Sequence, residues 1–233
     1  MRNRTAAGLA IAAAMLAVPS AAAAEATLGV DPSVRCYRER MAVYLPGAGF
    51  TPNGAVEFSR DGTPLVDPDG PIVADASGQV SPRLILPGLV SGQRRLTYIA
   101  TDKTDNTLTT QVSLLVTATD VTLTPSGGAP NRLLTIRARG FFSSRRTLYA
   151  HVVRTGKHPG RARNMRIAAI HGSCRKATAR KRLFFRDTAP GHYRVQFDTF
   201  RRYEAKRRVK TNFTVTVYRR AGTARATGLS PAS

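Results

Sequence analysis

Apolar and polar residues alternate in short runs along most of the chain, and Gly, Pro, Asn and Asp residues separate the runs. In the segment 212–218, for example, Phe213, Val215 and Val217 fall on one side and polar residues fall between them. A two-residue period is typical of a β-strand with one buried face. Short alternating runs separated by turn residues predict an all-β protein and favour a β-sandwich.

The same order of strands and turns occurs twice. The segments AVYLPGAGFTPNGAVEFSRDG (42–62) and LTIRARGFFSSRRTLYAHVVRTG (134–156) each contain a strand, a Gly-Phe pair, a short turn and a second strand. Further along, 92–117 and 191–217 each contain a strand, a polar hairpin and another strand. A repeat of roughly 90 to 100 residues is longer than the period of solenoid repeats. We therefore predict two β-sandwich domains in tandem.

The boundaries of the predicted units follow from this repeat. Residues 25–118 form the first domain, residues 119–220 form the second, and residues 221–233 form a disordered tail that is rich in Ala, Gly, Ser and Thr. In the second domain the alternation places six strands, designated B to G, at 133–139, 147–154, 165–170, 182–185, 192–198 and 212–218.

Several turns resemble those of a known fold family. GHYRV, at the start of strand F, resembles the Gly-x-Tyr-x-Val entry to that strand in immunoglobulin-like sandwiches, where the tyrosine hydrogen-bonds back to the backbone. GAGFTPNGAVEFSRDG and DASGQVSPRLILPG are similar to secreted bacterial immunoglobulin-like domains of the IPT/TIG kind, and the whole arrangement resembles tandem actinobacterial proteins of this type. The resemblance implies two tandem immunoglobulin-like domains after a signal peptide. It carries over no catalytic or binding residue.

The first residues predict export. Arg2 and Arg4 precede an apolar run at 6–18, and small residues follow Pro19. This is the order of a secretory signal peptide, with cleavage expected after Ala24. A membrane anchor is the alternative, but a spanning helix needs roughly 20 apolar residues, more than this run contains. We therefore expect a protein that is secreted and either extracellular or associated with the cell wall.

Charge divides the two predicted domains. Residues 25–118 contain 8 Lys and Arg against 10 Asp and Glu, a net charge of −2, whereas residues 119–233 contain 26 against 4, a net charge of +22. A generally Arg-rich proteome would not explain why one half alone is basic. The asymmetry favours an anionic partner. We expect a wall phosphate polymer, an acidic glycan or anionic lipid headgroups, with nucleic acid less favoured.

Many of the basic residues are predicted to converge at one end of the second domain. In a sandwich of antiparallel strands the B–C, D–E and F–G loops lie at the same end, which here faces the first domain. We call the candidate anion-binding residues of these loops the loop bases: Arg145, Arg146, Arg175, Lys176, Arg180, Lys181, Arg182, Arg201, Arg202, Lys206, Arg207, Arg208 and Lys210.

An acidic loop of the first domain is expected to face the loop bases. It carries Asp61, Asp67, Asp69 and Asp75. Exposed ion pairs stabilise a protein by only about 0–1 kcal/mol each, and the loop bases outnumber these acids, so an excess of positive charge remains for an outside polyanion. Three nearby aromatic rings could stack on the bases of a nucleic acid, although such rings more often fill the core of a loop. They are Tyr149, Phe200 and Tyr203.

The two cysteines, Cys36 and Cys174, lie in turns that the predicted topology brings to the junction of the domains. An even cysteine count in a secreted chain indicates a disulfide, and the cost of loop closure grows only slowly with sequence separation. We therefore expect an inter-domain disulfide. Two free thiols and a link to another chain are the alternatives.

Motifs for chemistry are scarce. His171 and Cys174 have an H-x-x-C spacing without a second ligand pair, so no metal site is predicted. Ser173 lacks the surroundings of a nucleophile elbow, and His151 is expected to point outward from its strand. All four histidines lie in the second domain: His151, His158, His171 and His192.

The sequence predicts no catalytic residue, no cofactor and no enzyme activity. We expect a secreted, non-catalytic binding protein of the cell envelope or exterior, whose basic second domain binds an anionic polymer or surface. The alternative is a structural or adhesion module whose charges stabilise its own inter-domain interface and bind no polyanion.

Overall fold

A computed structural model describes the backbone of residues 25–66, 70–156, 160–220 and 223–231. All regular secondary structure in these ranges is β-strand, which confirms the all-β class. No helix long and apolar enough to cross a membrane occurs there. Side chains are described as far as residue 218. The predicted signal peptide and three candidate residues lie outside the described residues: 1–24, Asp67, Asp69 and His158.

The first half of the chain, residues 25–118, forms nine strands around its own core. The strands are β1 (Thr27–Leu28), β2 (Tyr37–Arg38), β3 (Ala42–Tyr44), β4 (Gly47–Ala48), β5 (Val56–Arg60), β6 (Thr63–Leu65), β7 (Arg83–Ile85), β8 (Gln93–Asp102) and β9 (Thr109–Thr117). A five-stranded sheet has the order β2-β9-β8-β5-β6, and the pairs β1-β4 and β3-β7 complete the half. Phe58, Leu96, Tyr98 and Leu114 are fully buried in its core.

The described part of the second half, from residue 119 onward, forms two sheets around a separate core. Its strands are β10 (Asp120–Thr124), β11 (Leu134–Arg139), β12 (Thr147–Thr155), β13 (Arg163–Ala169), β14 (Ala177–Lys181), β15 (Gly191–Asp198), β16 (Thr211–Arg220) and β17 (Thr223–Pro231). The sheet orders are β10-β11-β14 and β13-β12-β15-β16-β17. Both sheets contribute to one core, in which Ile136, Phe141, Leu148 and Phe197 are fully buried.

The predicted strand E is wrong. The alternation had placed it at 182–185, but the structure forms β14 at Ala177–Lys181, while the other five strands lie within two residues of their predicted bounds. Ala177 and Ala179 occupy the inward positions of β14. Because alanine gives a weak apolar signal, the larger Leu183 and Phe184 just beyond the strand attracted the prediction.

The tail also differs from the prediction. Residues 221–233 were expected to be disordered, but Thr223–Pro231 form β17, which pairs antiparallel with β16. Strand pairing depends on backbone N–H and C=O groups, so a sequence without apolar periodicity can extend a sheet edge when a long neighbouring strand offers them.

The Gly-Phe pair has the same role in both halves. Gly49 and Gly140 have φ angles of 84° and 75°, and Phe50 and Phe141, which follow them, are buried. A Cβ atom on Gly49 would lie 2.7 Å from a backbone carbonyl oxygen, and one on Gly140 would lie 2.1 Å from the carbonyl oxygen of Ala118. Each glycine therefore permits both the left-handed turn and the close approach of a second backbone segment.

A disulfide joins the two halves, as predicted. Cys36 and Cys174 are bonded, and their Cα atoms are 5.2 Å apart across a sequence separation of 138. Cys36 immediately precedes β2, and Cys174 lies between β13 and β14, so the bond links the two cores directly.

Two carboxylates hold the same junction. Glu39 accepts hydrogen bonds from the backbone N–H of Thr119 at 2.8 Å and of Leu89 at 2.7 Å. Asp120 accepts one from the N–H of Gly92 at 2.6 Å and pairs with Arg139 at 3.0 Å. Each half thus supplies an acid that binds backbone of the other.

Replacing Gly140 by alanine tests the close approach. Any residue with a side chain is strained at a positive φ, by about 1–2 kcal/mol, but at Gly140 the new methyl group must also displace the Ala118 backbone. We expect Gly140→Ala to lower the free energy of unfolding by an additional ~1–3 kcal/mol, the usual cost of overpacking. The matched control is Gly172→Ala, since Gly172 has a φ of 71° and no atom within 4 Å of the added Cβ. The free energies of unfolding are measured by urea titration with circular dichroism as the probe. Equal decreases in the two variants would contradict a close backbone approach at Gly140.

Removing the disulfide tests whether the halves are independent units. In the double variant Cys36→Ser/Cys174→Ser we expect faster hydrogen exchange at the amides of Gly92 and Thr119, which hydrogen-bond across the junction, and unchanged exchange at core amides such as Val195. A uniform loss of about 2–4 kcal/mol across both cores, the usual effect of deleting a disulfide within one cooperative unit, would show instead that the halves unfold together.

Candidate functional site

The loop between β15 and β16, residues 199–210, folds over the outer face of the five-stranded sheet of the second half. His151 and Gln196 point away from the core, because their neighbours Ala150 and Val195 belong to it, yet both are fully buried. The Gln196 side-chain N–H donates to the Glu204 carbonyl oxygen of this loop at 2.9 Å. The expectation that His151 is an outward residue is therefore correct for the sheet and wrong for its exposure.

Asp198 holds the loop at its start. Its carboxylate accepts hydrogen bonds from the backbone N–H of Phe200 at 2.7 Å and from the Gln196 side chain at 2.7 Å. The Nε2 atom of His151 lies 3.1 Å from the same carboxylate, and the Nδ1 atom lies 2.6 Å from the side-chain oxygen of Asn164. Both ring nitrogens face side-chain oxygens, and this arrangement favours the protonated ring.

The pKa values of this pair move in the directions that favour its charges. Burial acts to lower the pKa of His151, but the hydrogen bonds to Asp198 and Asn164 outweigh it and the pKa is raised. Burial acts to raise the pKa of Asp198, but the hydrogen bonds from His151, Gln196 and Phe200 outweigh it and the pKa is lowered.

A basic cleft opens beside this loop. Its volume is about 1150 Å³, and its walls come from the start of β12, from β13 with the residues before it, and from the loop 199–210. Among the described residues it is lined by seven arginines and no acid: Arg145, Arg161, Arg163, Arg166, Arg201, Arg202 and Arg207, together with Tyr149, Ala162, Asn164 and Phe200. We call this cavity the arginine cleft.

Phe200 organises one wall of the arginine cleft. The guanidinium carbon of Arg207 lies 3.7 Å from the centre of the Phe200 ring, and that of Arg145 lies 4.4 Å from it. Arg207 also pairs with Glu204 at 2.8 Å. The ring is thus covered by guanidinium groups through cation–π contacts.

Arg163 belongs as much to the scaffold as to the cleft. It donates to the Leu183 carbonyl oxygen and lies 4.1 Å from the centre of the Phe185 ring. Burial lowers the pKa of Arg163. The other lining arginines of β13 and the residues before it, Arg161 and Arg166, are the ones that this structure leaves for a ligand.

The loop bases divide into four groups. Four of them line the arginine cleft: Arg145, Arg201, Arg202 and Arg207. Lys206, Arg208 and Lys210 line two neighbouring cavities along the same loop. Arg146, Arg175 and Lys176 lie near the disulfide end, where the N–H of Ile170 donates to the Arg146 carbonyl oxygen and Lys176 pairs with His171.

The fourth group lies at the wrong end for the prediction: Arg180, Lys181 and Arg182. Lys181 pairs with Leu134 at the start of β11, whereas the junction lies at the other end of that strand, where Arg139 pairs with Asp120. The Arg182 side chain donates to the Asn131 carbonyl oxygen at 2.9 Å. The prediction failed because strand E was placed too far along the sequence. β14 starts at Ala177 and runs away from the junction for five residues, so these bases lie at its far end.

The two described acids of the acidic loop, Asp61 and Asp75, bond within the first half and not to the loop bases. Asp61 pairs with Arg94 at 3.1 Å and accepts from the Thr97 N–H, all within the first half. Asp75 accepts from the N–H groups of its own turn and lies beside Asn53, at the end of the half away from the junction. After β6 the chain runs back beside β5, and Val73 pairs with Ala55, just before β5 begins. The loop therefore extends from one end of the half to the other, and its two described acids are not gathered at the junction.

Sequence reasoning missed Arg161, Arg163 and Arg166 as candidates. The segment GRARNMR carries the signal, a basic residue at nearly every second position in the strand beside β12. The sequence analysis assigns 165–170 to strand D and gives these arginines no role, because nothing in the sequence shows that the loop 199–210 folds toward them.

Within the described ranges no group of three or more His, Cys, Asp or Glu residues is arranged to hold a metal ion. Cys174 of the H-x-x-C pair is committed to the disulfide. The Tyr193 hydroxyl donates to the Ala189 carbonyl oxygen at 2.7 Å, which confirms the backward hydrogen bond expected at the start of strand F.

The buried pair gives a definite pH dependence of stability. The pKa of His151 is raised above its usual 6.5, so its contribution is complete below pH 6.5 and is lost as the pH rises through the raised value. The pKa of Asp198 is lowered from 3.8, so its contribution is complete above pH 3.8 and is lost as the pH falls through the lower value. We expect a plateau between these limits in urea unfolding followed by circular dichroism, the suitable probe for a chain without tryptophan.

The variant His151→Gln checks the assignment. It should lose about 3–5 kcal/mol on the plateau, the usual cost of removing one partner of a buried ion pair, and the alkaline decline should disappear with it. A decline that persists unchanged in the variant would show that another group causes it.

No protein-family model matches the chain, and no curated protein matches it. Among solved structures it is similar to dimeric latent PorU from Porphyromonas gingivalis, with 14% identity and a TM-score of 0.26 over 89% of this chain and 19% of that one. It is also similar to the secreted serine protease VesC from Vibrio cholerae, with 10% identity and a TM-score of 0.26 over 90% of this chain and 51% of that one. The chain spans about a fifth and about half of these proteins, and likeness at this level identifies neither a shared fold nor an activity.

Proposed function

We propose that the protein is a secreted, non-catalytic binding protein of the cell envelope or exterior, and that the arginine cleft binds an anionic polymer. The observation that carries the proposal is the lining itself, seven arginines and no acid around about 1150 Å³. A concentration of one charge in a concave site focuses the field and attracts ligands of opposite charge.

Guanidinium groups suit oxyanions in particular. Each presents a planar fork of N–H donors that matches phosphate, sulfate or carboxylate oxygens in pairs. Arg161, Arg166, Arg201 and Arg202 have no hydrogen bond or ion pair to a side chain among the described residues, so their donors face the cleft or solvent. A wall phosphate polymer, an acidic glycan or anionic headgroups would all supply suitable groups.

Nucleic acid is the less favoured ligand. Single-stranded nucleic acid is usually held by stacking its bases on aromatic rings. Phe200 is already covered by two guanidinium groups, and the Tyr203 ring packs 5.9 Å from that of His151. Tyr149 is the remaining ring in the cleft, so the site is better suited to ligands recognised by their charged groups.

The alternative, in which the charges only stabilise the inter-domain interface, has weaker support. It requires the acids of the first half to pair with the loop bases, but Asp61 and Asp75 bond within their own half. The junction is held by the disulfide and by Glu39 and Asp120, which leaves the arginine cleft uninvolved.

The wider assignment is also a proposal. We interpret each half as an immunoglobulin-like sandwich of the IPT/TIG-like, actinobacterial kind, supported by the Tyr193 hydrogen bond, the repeated Gly-Phe turn and the two sheets around one core in the second half. Secretion is supported by the disulfide, since such bonds persist in oxidising compartments.

The decisive experiment compares two triple variants that remove equal charge. Arg161→Gln/Arg166→Gln/Arg201→Gln alters the arginine cleft, and Arg137→Gln/Arg180→Gln/Lys181→Gln alters exposed bases on the three-stranded sheet. Binding to long-chain polyphosphate is measured by calorimetry at several salt concentrations. The cleft variant should bind much more weakly, and its slope of log affinity against log salt should be smaller by about 2, from counterions no longer released.

The control variant should keep most of the affinity. If both variants lose equally, the protein binds anions through its overall charge, and the arginine cleft is not the site. If the parent protein binds neither polyphosphate nor purified bacterial cell wall at moderate salt, the proposed function fails as a whole.

A further inference from the structure

Three cavities follow one another along the loop 199–210. The arginine cleft shares Phe200 and Arg207 with a second cavity of about 430 Å³ on the other side of the loop. That cavity in turn shares Arg208 and Val209 with a third, of about 380 Å³, at the junction of the two halves. Because neighbouring cavities share lining residues, the three adjoin in a row along the loop, and one ligand that crosses the shared residues would contact all three. We call this row of adjoining cavities the path.

Basic residues mark the whole path. Lys206, Arg207 and Arg208 line the second cavity, and Arg208 and Lys210 line the third. Two acids stand beside the path, and each is engaged: Glu204 pairs with Arg207, and Glu39 accepts backbone N–H groups with both of its oxygens.

The first half completes the path. Arg38 and Arg40 line the third cavity opposite Arg208 and Lys210. They follow Cys36 by two and four residues, so they lie close to the Cys36–Cys174 bond at the junction. A half with a net charge of −2 therefore contributes two bases at the point where the path from the second half arrives.

We propose that the protein binds an extended linear polyanion along this path, from the arginine cleft over the loop to Arg38 and Arg40 of the first half. The inference rests on the proposed function of the arginine cleft and specifies its ligand: a flexible chain of closely spaced oxyanions, recognised by charge along its length. A short anion fills the arginine cleft alone. A long chain continues into the second and third cavities, where each further contact is intramolecular and adds affinity.

The test uses ligands that differ in length and variants of the first half. Tripolyphosphate and long-chain polyphosphate carry the same oxyanions, so the gain in affinity between them reports the path. Arg38→Gln/Arg40→Gln removes its far end. Arg83→Gln/Arg95→Gln is the matched control, since both residues are exposed in the first half and line none of the three cavities.

The expected result is selective. Arg38→Gln/Arg40→Gln should bind tripolyphosphate as the parent protein does, lose several-fold affinity for long-chain polyphosphate, and show a salt slope smaller by about 1–2. The control should match the parent protein with both ligands. Circular dichroism of the variants and intact mass of the unreduced proteins establish that the fold and the disulfide are retained.

Three outcomes would overturn the path. One is that tripolyphosphate and long-chain polyphosphate bind with equal affinity per ligand molecule. Another is that the two double variants lose affinity for long-chain polyphosphate equally. The third is tighter binding to phosphatidylglycerol vesicles or to a charge-matched single-stranded oligonucleotide, which would assign the surface to a flat membrane or to a stacked nucleic acid. The first two leave tripolyphosphate binding in the arginine cleft intact, so they are distinct from failure of the proposed function, in which no polyphosphate binds.

Discussion

The Asp198 carboxylate is the constraint on which the candidate site depends. It lies at the end of β15, where it receives the Phe200 N–H, the Gln196 side chain and the His151 ring. These bonds turn the loop 199–210 back over the sheet instead of letting it extend into solvent. Once the loop is held, Phe200 lies where Arg145 and Arg207 both stack on it, and the arginine cleft has its second wall.

The positive charges of the arginine cleft repel one another. Seven guanidinium groups around one cleft oppose folding through mutual repulsion, which salt and a bound anion relieve. The structure offsets this in part with cation–π contacts to Phe200 and Phe185 and with Glu204 beside Arg207. The offset is local: within the described part of the chain, Arg161, Arg166, Arg201 and Arg202 have no side-chain partner, so solvent or a ligand is left to satisfy their donors.

Alternation of apolar residues was enough to predict most strands, because it reports which face of each strand is buried. The disulfide was predicted from the export signal, the even cysteine count and the topology that brings the two turns to the junction. Alternation failed where its signal is weak. The small alanines of β14 give a weak apolar signal, so this strand was predicted too late in the sequence and Arg180–Arg182 were expected at the junction instead of the far end. β17 carries no apolar pattern at all. The cleft itself was not predictable in this way. It depends on a loop returning over a polar face, and a buried His151 between Asp198 and Asn164 has the same sequence signature as an exposed strand residue.

The two halves show how one turn produces two different surfaces. In the first half Asp102 also ends its strand and also accepts backbone N–H groups, from Thr51, Thr104 and Asp105, at 2.6, 2.7 and 3.1 Å. Burial acts to raise its pKa, but these donors lower the pKa of Asp102 to about 2. There the carboxylate closes a tight turn, and β9 resumes at Thr109. In the second half the equivalent carboxylate, Asp198, accepts side-chain hydrogen bonds as well as the Phe200 N–H, and it anchors a longer, basic loop. In both halves a carboxylate at the end of a strand thus fixes the start of the loop that follows. In the second half this loop is longer, and its arginines make the surface attractive to anions.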